Sequence, residues 1–129
     1  MSFHNRWYPL AIETAQPLNL GPDLTIRLIA APAFIATKIE AFKGRGNNDF
    51  LQSHDLEDII TLIDGREALL TEIQSAPEPL RDYLRAEFAT LIAQPDFINA
   101  LAGHLPGDRQ SQQRLPRLIE RLRGLAQQA

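Results

Sequence analysis

A repeat of apolar side chains between residues 53 and 65 is the feature that most restricts how this chain can fold. Four aliphatic residues recur at i, i+3, i+4 and i+7, namely Leu56, Ile59, Ile60 and Ile63. This spacing predicts a helix with one apolar face. Ser53 precedes the repeat as a candidate N-cap, and Asp64-Gly65 ends it. Such a helix needs partners for its apolar face, so the sequence predicts a packed helical assembly.

Similar stripes predict helices on both sides of this segment. Pro32 suits the first turn of the preceding helix, which continues to about residue 43 before Gly44-Arg45-Gly46 ends it. Four further candidate helices are separated by prolines and glycines, and they span residues 67–76, 80–94, 96–105 and 115–126. The sequence therefore predicts a bundle of five or six helices.

A small β element is predicted before this bundle. Residues 24–30 alternate and include β-branched side chains, which is typical of a strand. Gly21-Pro22-Asp23 is a strong turn, across which residues 11–20 are expected to supply a short second strand. The rest of residues 1–22 is expected to be irregular. The predicted fold class is α+β in one domain, residues 1–129, with two or three strands within residues 1–31 and helices in residues 32–129.

Composition excludes several classes of protein. The chain has no cysteine, which rules out a disulfide scaffold, a thiolate zinc site and a cysteine nucleophile. A net charge of −3 gives no general attraction for nucleic acid or anionic membranes. No apolar run approaches the roughly 18–20 residues of a membrane span, and residues 1–8 lack the apolar core of a secretory signal. We expect a cytoplasmic protein with no membrane partner.

Lys38, Asp55 and Asp58 are the first candidates for chemistry. Lys38 flanks the apolar stripe of its helix, so its ammonium must reach water or an anion. Asp55 and Asp58 are spaced i, i+3 and project from the same side of the next helix. We expect the three groups to converge between the two helices. One interpretation is an ion pair that joins the helices, with Asp55 also favoured by the helix dipole, and the other is a binding site.

Three more residues extend this candidate site. Arg45 lies between two glycines, a setting that lets a guanidinium approach a phosphate, although a solvated loop residue is the simpler interpretation. His54 is placed to touch Asp58, and Arg66 is placed to return towards Asp55 or Asp58. A metal site built from His54 and the two aspartates is the weaker alternative, because one helical turn supplies too few ligands.

The stretch A-T-K-I-E-A-F-K-G-R-G at residues 36–46, followed by S-H-D-L-E-D-I-I-T-L-I-D-G-R at residues 53–66, resembles the C-terminal half of the polymerase-β-like nucleotidyltransferases. The most similar branch serves abortive-infection and type IV toxin–antitoxin systems. The resemblance covers roughly residues 3–75. It implies that Lys38 contacts the phosphates of a nucleotide and that Asp55 and Asp58, as the D-x-x-D motif, position the nucleotide and the lysine. His54 stands where that family usually has lysine or arginine.

The resemblance also defines what is missing. That family binds its metals with a D-x-D or D-x-E pair after a Gly-Gly or Gly-Ser loop, and this sequence has no such pair after such a loop. The expectation is a truncated or inactive nucleotidyltransferase-related protein whose helix pair still faces nucleotide phosphates. Mg²⁺ and a nucleoside triphosphate are implied for the full-length family, and no cofactor for this chain alone. The alternative is a non-enzymatic helical module, such as an adaptor or an antitoxin-like partner.

Two other groups of residues stand out. Trp7 and Tyr8 near the N-terminus are expected to cover an edge of the core, with partner or base binding as the alternative. Arg114, Arg117 and Arg121 share one helix face, interpreted as solvated rather than as an RNA-binding surface. Finally, a strand edge without neighbours favours association. We expect either a homodimer through residues 1–35 or Trp7 and Tyr8 folded back over the exposed face.

Overall fold

Helices form most of this protein. The computed structural model describes residues 5–22, 24–45 and 49–127, except for the side chains at positions 18–20 and 24–28. In chain order the elements are α1 (Tyr8–Glu13), β1 (Gln16–Gly21), β2 (Leu24–Leu28), α2 (Ala31–Arg45), α3 (His54–Gly65), α4 (Leu69–Gln74), α5 (Glu78–Ile92), α6 (Pro95–Ala100), a 3₁₀-helix (Leu101–His104), α7 (Arg109–Gln112) and α8 (Leu115–Gln127).

The predicted α+β class is wrong, because the fold is mostly helical. Within the described part of the chain, strand pairing is limited to one short antiparallel ribbon of β1 and β2. Gln16 lies opposite Leu28, and an irregularity in the pairing falls between Asn19 and Gly21. Both strands are edges, so Pro17 removes no hydrogen bond from a central strand. Two strands of this length bury too little to form a layer of their own.

The segment before residue 32 also differs from the prediction in starting with a helix. Tyr8–Glu13 forms α1, although this part of the chain was expected to be irregular. Pro9 is accommodated because it lies at the beginning of the helix, where the amide N–H has no intrahelical acceptor. The helix count differs as well, since residues 96–105 form α6 and the 3₁₀-helix, and α7 follows as a separate short helix.

One cluster of buried side chains runs from Trp7 to Leu125. Helix α2 packs on α3, and α5 packs on α8. The centre of this cluster is formed by large side chains that are less than 2% exposed, among them Ile35, Leu56, Ile60, Phe88, Phe97, Leu118 and Leu122. The four aliphatic residues whose spacing predicted α3 are all buried, so that prediction is confirmed. Packing of α2 against α3 brings together the charged residues described below.

Candidate functional site

Lys38, Asp55 and Asp58 converge where α2 packs on α3. The Lys38 Nζ lies 2.7 Å from Oδ2 of Asp58 and 3.7 Å from Oδ1 of Asp55. Ser53 fixes the start of α3 by accepting a hydrogen bond from the Leu56 amide at 3.1 Å, as the sequence predicted. This cap places both aspartates on the first turns of the helix, facing α2. The predicted convergence of the three groups is confirmed.

Arg45 completes the network from the other side. It is the last residue of α2 rather than part of a hinge, because the helix continues through Gly44. Its Nε and Nη2 donate to the two carboxylate oxygens of Asp55, at 2.9 and 2.8 Å. These bonds hold the pKa of Asp55 below its ordinary value, against the opposing effect of burial and with a smaller contribution from Lys38. Asp55 is therefore an ionised, buried link between Arg45 and Lys38.

The two auxiliary candidates do not pair as predicted. His54 is almost fully exposed and its Nδ1 lies 3.3 Å from a carboxylate oxygen of Glu57, not beside Asp58. Arg66 donates from Nε and Nη2 to Glu72 at 2.6 and 2.8 Å, instead of returning to Asp55 or Asp58. Glu57 at i+3 and Asp58 at i+4 are both within reach of His54, and their spacing does not decide between them. Glu72 lies on α4, so spacing within α3 could not identify it as the partner of Arg66.

An open cleft of about 570 Å³ lies beside this network. It is lined by Phe34, Lys38, Asp58, Thr61, Leu62, Gly65 and Arg66. The Lys38 side chain is 26% exposed and that of Asp58 49%, whereas that of Asp55 is only 7% exposed. Lys38 and Asp58 thus face the cleft, and Asp55 lies behind them. The volume falls within the range of small-molecule sites. We call this space the lysine cleft.

The donor set does not fit a resident magnesium ion. Both oxygens of Asp55 accept hydrogen bonds from Arg45, and Asp58 is paired with Lys38. Across the described ranges, no group of three or more histidine, aspartate or glutamate side chains is arranged to hold a metal. Mg²⁺ binds several oxygen ligands. Here the carboxylate oxygens of Asp55 and Asp58 are already paired with Arg45 and Lys38.

The arginines of α8 perform a role that the sequence interpretation missed. Arg114 and Arg117 reach the Asp64 carboxylate at the end of α3, at 3.0 and 3.4 Å. Arg121 donates to the main-chain carbonyls of Ile63 and Asp64, at 2.9 and 2.7 Å. Predicting a solvated face was therefore wrong. We call these three arginines with Asp64 the α3 clamp. An aspartate at a predicted helix end was the available signal, but its partners lie fifty residues away in sequence.

Trp7 covers an edge of the core, which confirms the favoured interpretation of this residue. It is 6% exposed and its ring lies 4.9 Å from that of Tyr83. The Tyr83 hydroxyl donates to Glu40, and burial together with this hydrogen bond raises the pKa of Tyr83. Tyr8, by contrast, is 45% exposed. Side chains of residues 24–28, which the predicted fold-back would cover, lie outside the described part of the structure.

None of the helices in the described residues combines the length and apolar character needed to cross a membrane. Comparison with protein-family models, curated proteins and solved structures finds no match for this chain.

Proposed function

We propose that this protein binds nucleotide phosphates in the lysine cleft, as a nucleotidyltransferase-related protein that does not transfer nucleotides by itself. The observation that carries the proposal is the position of Lys38: an ammonium group at the mouth of an open cleft, held there by two aspartates of the neighbouring helix. The resemblance of residues 36–46 and 53–66 to the nucleotidyltransferase motifs gives the same role to Lys38.

The ion pairs of the cleft differ in how easily an incoming anion can replace them. Asp55 is buried and bonded to Arg45, so it stays in place. Asp58 is half-exposed and can turn into water, and an exposed ion pair contributes only about 0–1 kcal/mol. A phosphate can therefore take the place of Asp58 beside Lys38 at little cost. Asp55 would meanwhile keep the ammonium aimed at the cleft.

Binding of the four nucleoside triphosphates to the full chain tests the proposal. Calorimetry should detect binding, and Lys38→Met should weaken it by at least about tenfold, the effect of losing one charge-assisted contact of about 1.4 kcal/mol. Lys43→Met is the matched control, because Lys43 lies on the same helix but pairs with Glu87 at 2.7 Å. Equal loss of binding in both variants, or no binding to the unmodified protein, would contradict the proposal.

A transfer assay tests the inactive part of the proposal. With radiolabelled nucleotide, Mg²⁺ and RNA or protein acceptors, we expect no labelled product. The nucleotidyltransferases that this chain resembles bind their metals with a D-x-D pair after a Gly-Gly or Gly-Ser loop, and the sequence has no such pair. Labelled product that disappears in Asp55→Ala would overturn this expectation and make Asp55 part of an active site.

The second candidate is a non-enzymatic helical module that acts through association. It is favoured by two exposed apolar side chains: Ile12 on α1 is 65% exposed, and Ile29, which directly follows β2, is 47% exposed. The proposed homodimer would bury them. Analytical ultracentrifugation should show a dimer that Ile12→Glu or Ile29→Glu dissociates. A monomer at all concentrations would remove the dimer from consideration.

A further inference from the structure

A separate cavity of about 280 Å³ lies where the end of α3 and the beginning of α4 meet α8. Its apolar lining comes from Ile63, Leu69, Leu70 and Leu125, and Gly124 adds bare backbone. Three of these side chains are buried, and that of Leu70 is exposed. An engineered apolar cavity of about 150 Å³ holds one benzene molecule, so this larger space can accept a ring that carries a short chain. We call it the α8 pocket.

Gly124 lies inside α8, where glycine is an unfavourable residue. It lowers the stability of a helix relative to alanine, because it loses more backbone freedom on folding. A side chain would nevertheless fit at this position: outside the helix itself, a Cβ placed here would first meet Cδ2 of Leu70, at 4.0 Å. Packing therefore does not require glycine here. Its lack of a side chain instead leaves space open in the α8 pocket.

Four charged residues complete the lining of the pocket: Arg66, Glu67, Glu120 and Arg121. Arg66 is already bonded to Glu72. Arg121 donates to main-chain carbonyls at the end of α3 and complements the dipole of that helix. Both glutamates are exposed, and neither has a hydrogen bond or an ion pair with another described residue. The groups left to recognise a ligand are two carboxylates beside an apolar space.

We propose that the α8 pocket binds a small organic cation, an amine with an apolar ring or a short apolar chain. The apolar part lies against Leu70, Leu125 and the backbone of Gly124, and its burial supplies affinity. The ammonium contacts the carboxylates of Glu67 and Glu120, and these charge-assisted bonds supply the preference for a cation. The proposal takes no support from the phosphate binding proposed for the lysine cleft.

Three probes that share one apolar group separate the effect of burial from that of charge. Phenethylamine carries an ammonium, phenethyl alcohol a neutral hydroxyl and hydrocinnamate a carboxylate. Titration of the full chain, followed by amide NMR, should show that the amine binds about fivefold more tightly than the alcohol, as expected for exposed charge contacts. Hydrocinnamate should bind most weakly. The amide signals that shift should include those of Leu70 and Gly124.

Substitutions at Gly124 test the place of binding. Gly124→Leu puts an apolar side chain into the pocket, so it should remove the binding of all three probes and raise the thermal unfolding temperature. Gly124→Ala is the matched control. It should also raise the unfolding temperature, but its single methyl group leaves most of the pocket open and binding should remain. The unfolding curves show whether each variant is folded.

Removal of the carboxylates tests the charge, and this test does not depend on the folding of Gly124→Leu. The double variant Glu67→Gln, Glu120→Gln should lower the affinity for phenethylamine to about that for the alcohol and leave alcohol binding unchanged. Glu78→Gln is the matched control, because Glu78 is an exposed glutamate at the start of α5 that does not line the pocket. It should change neither affinity.

Each contrary result overturns the proposal in a recognisable way. Equal binding of the amine and the alcohol, or tighter binding of hydrocinnamate, would show that the carboxylates do not select the ligand. Amide shifts that leave out Leu70 and Gly124, or binding that survives in folded Gly124→Leu, would show that the ligand lies elsewhere. Absence of binding by every probe would remove the site. None of these results affects the phosphate site, which Lys38→Met tests.

Discussion

Helix α3 has a charged cluster at each end, and the two clusters differ in what their cations contact. At the N-terminal end, Lys38 and Arg45 form their ion pairs with the carboxylates of α3. At the C-terminal end, Arg121 of the α3 clamp donates to two main-chain carbonyls, and Arg117 contacts one of them as well. Those carbonyls belong to the last turn, where a helix has no internal donors left to offer.

This difference indicates which cluster maintains the fold. The α3 clamp joins α8 to α3, satisfies main-chain acceptors and complements the helix dipole. At the other end, Ser53 already caps the helix and Asp55 already complements the dipole. Lys38 and Asp58 are not needed for either purpose, and they face an open cleft. We infer that the clamp contributes stability and that the Lys38 pair is available for a ligand.

Arg121→Met should produce the largest loss of stability in this comparison. It leaves the Ile63 carbonyl without its side-chain donor and the Asp64 carbonyl with only the longer bond from Arg117. It also removes a cation from the C-terminus of the helix, and the total cost should be about 2–3 kcal/mol. Chemical denaturation measures this change. Arg123→Met is the matched control on the same helix: Arg123 is exposed, and its loss should change the free energy of unfolding by less than about 0.5 kcal/mol.

Nucleotide binding by the folded Arg121→Met protein should equal that of the unmodified chain. Equal stabilities of the two methionine variants would show that the clamp contacts contribute nothing, and the contrast between the two ends of α3 would fail.

Asp55→Asn should have an intermediate effect, about 1–2 kcal/mol at neutral pH, because asparagine loses the charge that Arg45 and Lys38 contact but keeps one acceptor oxygen. The effect should depend on pH. The pKa of Asp55 is lowered from its ordinary value of 3.8 in the folded protein. Its stabilisation is therefore complete above that value and is lost as the pH falls through the folded-state pKa.

Denaturation of Asp55→Asn between pH 7 and pH 2 measures this linkage. The difference in unfolding free energy between the variant and the unmodified chain should shrink below about pH 4. Glu72 also has a lowered pKa through its bonds to Arg66, so the acid-induced loss should be reduced in the variant and not abolished. A difference that stays constant down to pH 2 would show that the charge of Asp55 does not stabilise the fold.

Local signals in the sequence were sufficient for the N-terminal cluster and insufficient for the clamp. The cap at Ser53 and the aliphatic repeat define α3, and the i, i+3 spacing of Asp55 and Asp58 defines which side they share. The contact with Lys38 then follows from packing two neighbouring helices. The Asp64–Arg114 contact depends on how α8 lies against α3, which no local pattern specifies.

The same limit explains the errors in fold class and in the placement of Arg66. Residues 24–28 have strand-like alternation and do form β2, but propensity cannot show that only one other strand pairs with it in the described chain. Arg66 was assigned to the aspartates of its own helix, whereas the end of α3 directs it to Glu72 on α4. Helix ends change the direction of the chain, and periodicity does not specify that direction.

Lys38→Met should have the smallest effect on stability and the largest effect on binding. Its ion pair with Asp58 is half-exposed, so its loss should lower the free energy of unfolding by less than about 1 kcal/mol. Asp55 keeps both hydrogen bonds from Arg45 and is not left as an unpaired buried charge. Nucleotide affinity should nevertheless fall at least about tenfold. Within the described residues, the other cation that lines the lysine cleft is Arg66, and it is already bonded to Glu72. Arg121→Met should give the opposite result in both measurements.

If instead Lys38→Met destabilises the protein as much as Arg121→Met and leaves nucleotide binding unchanged, Lys38 joins two helices in the same way as the clamp does. The distinction between a structural end and a binding end of α3 then disappears.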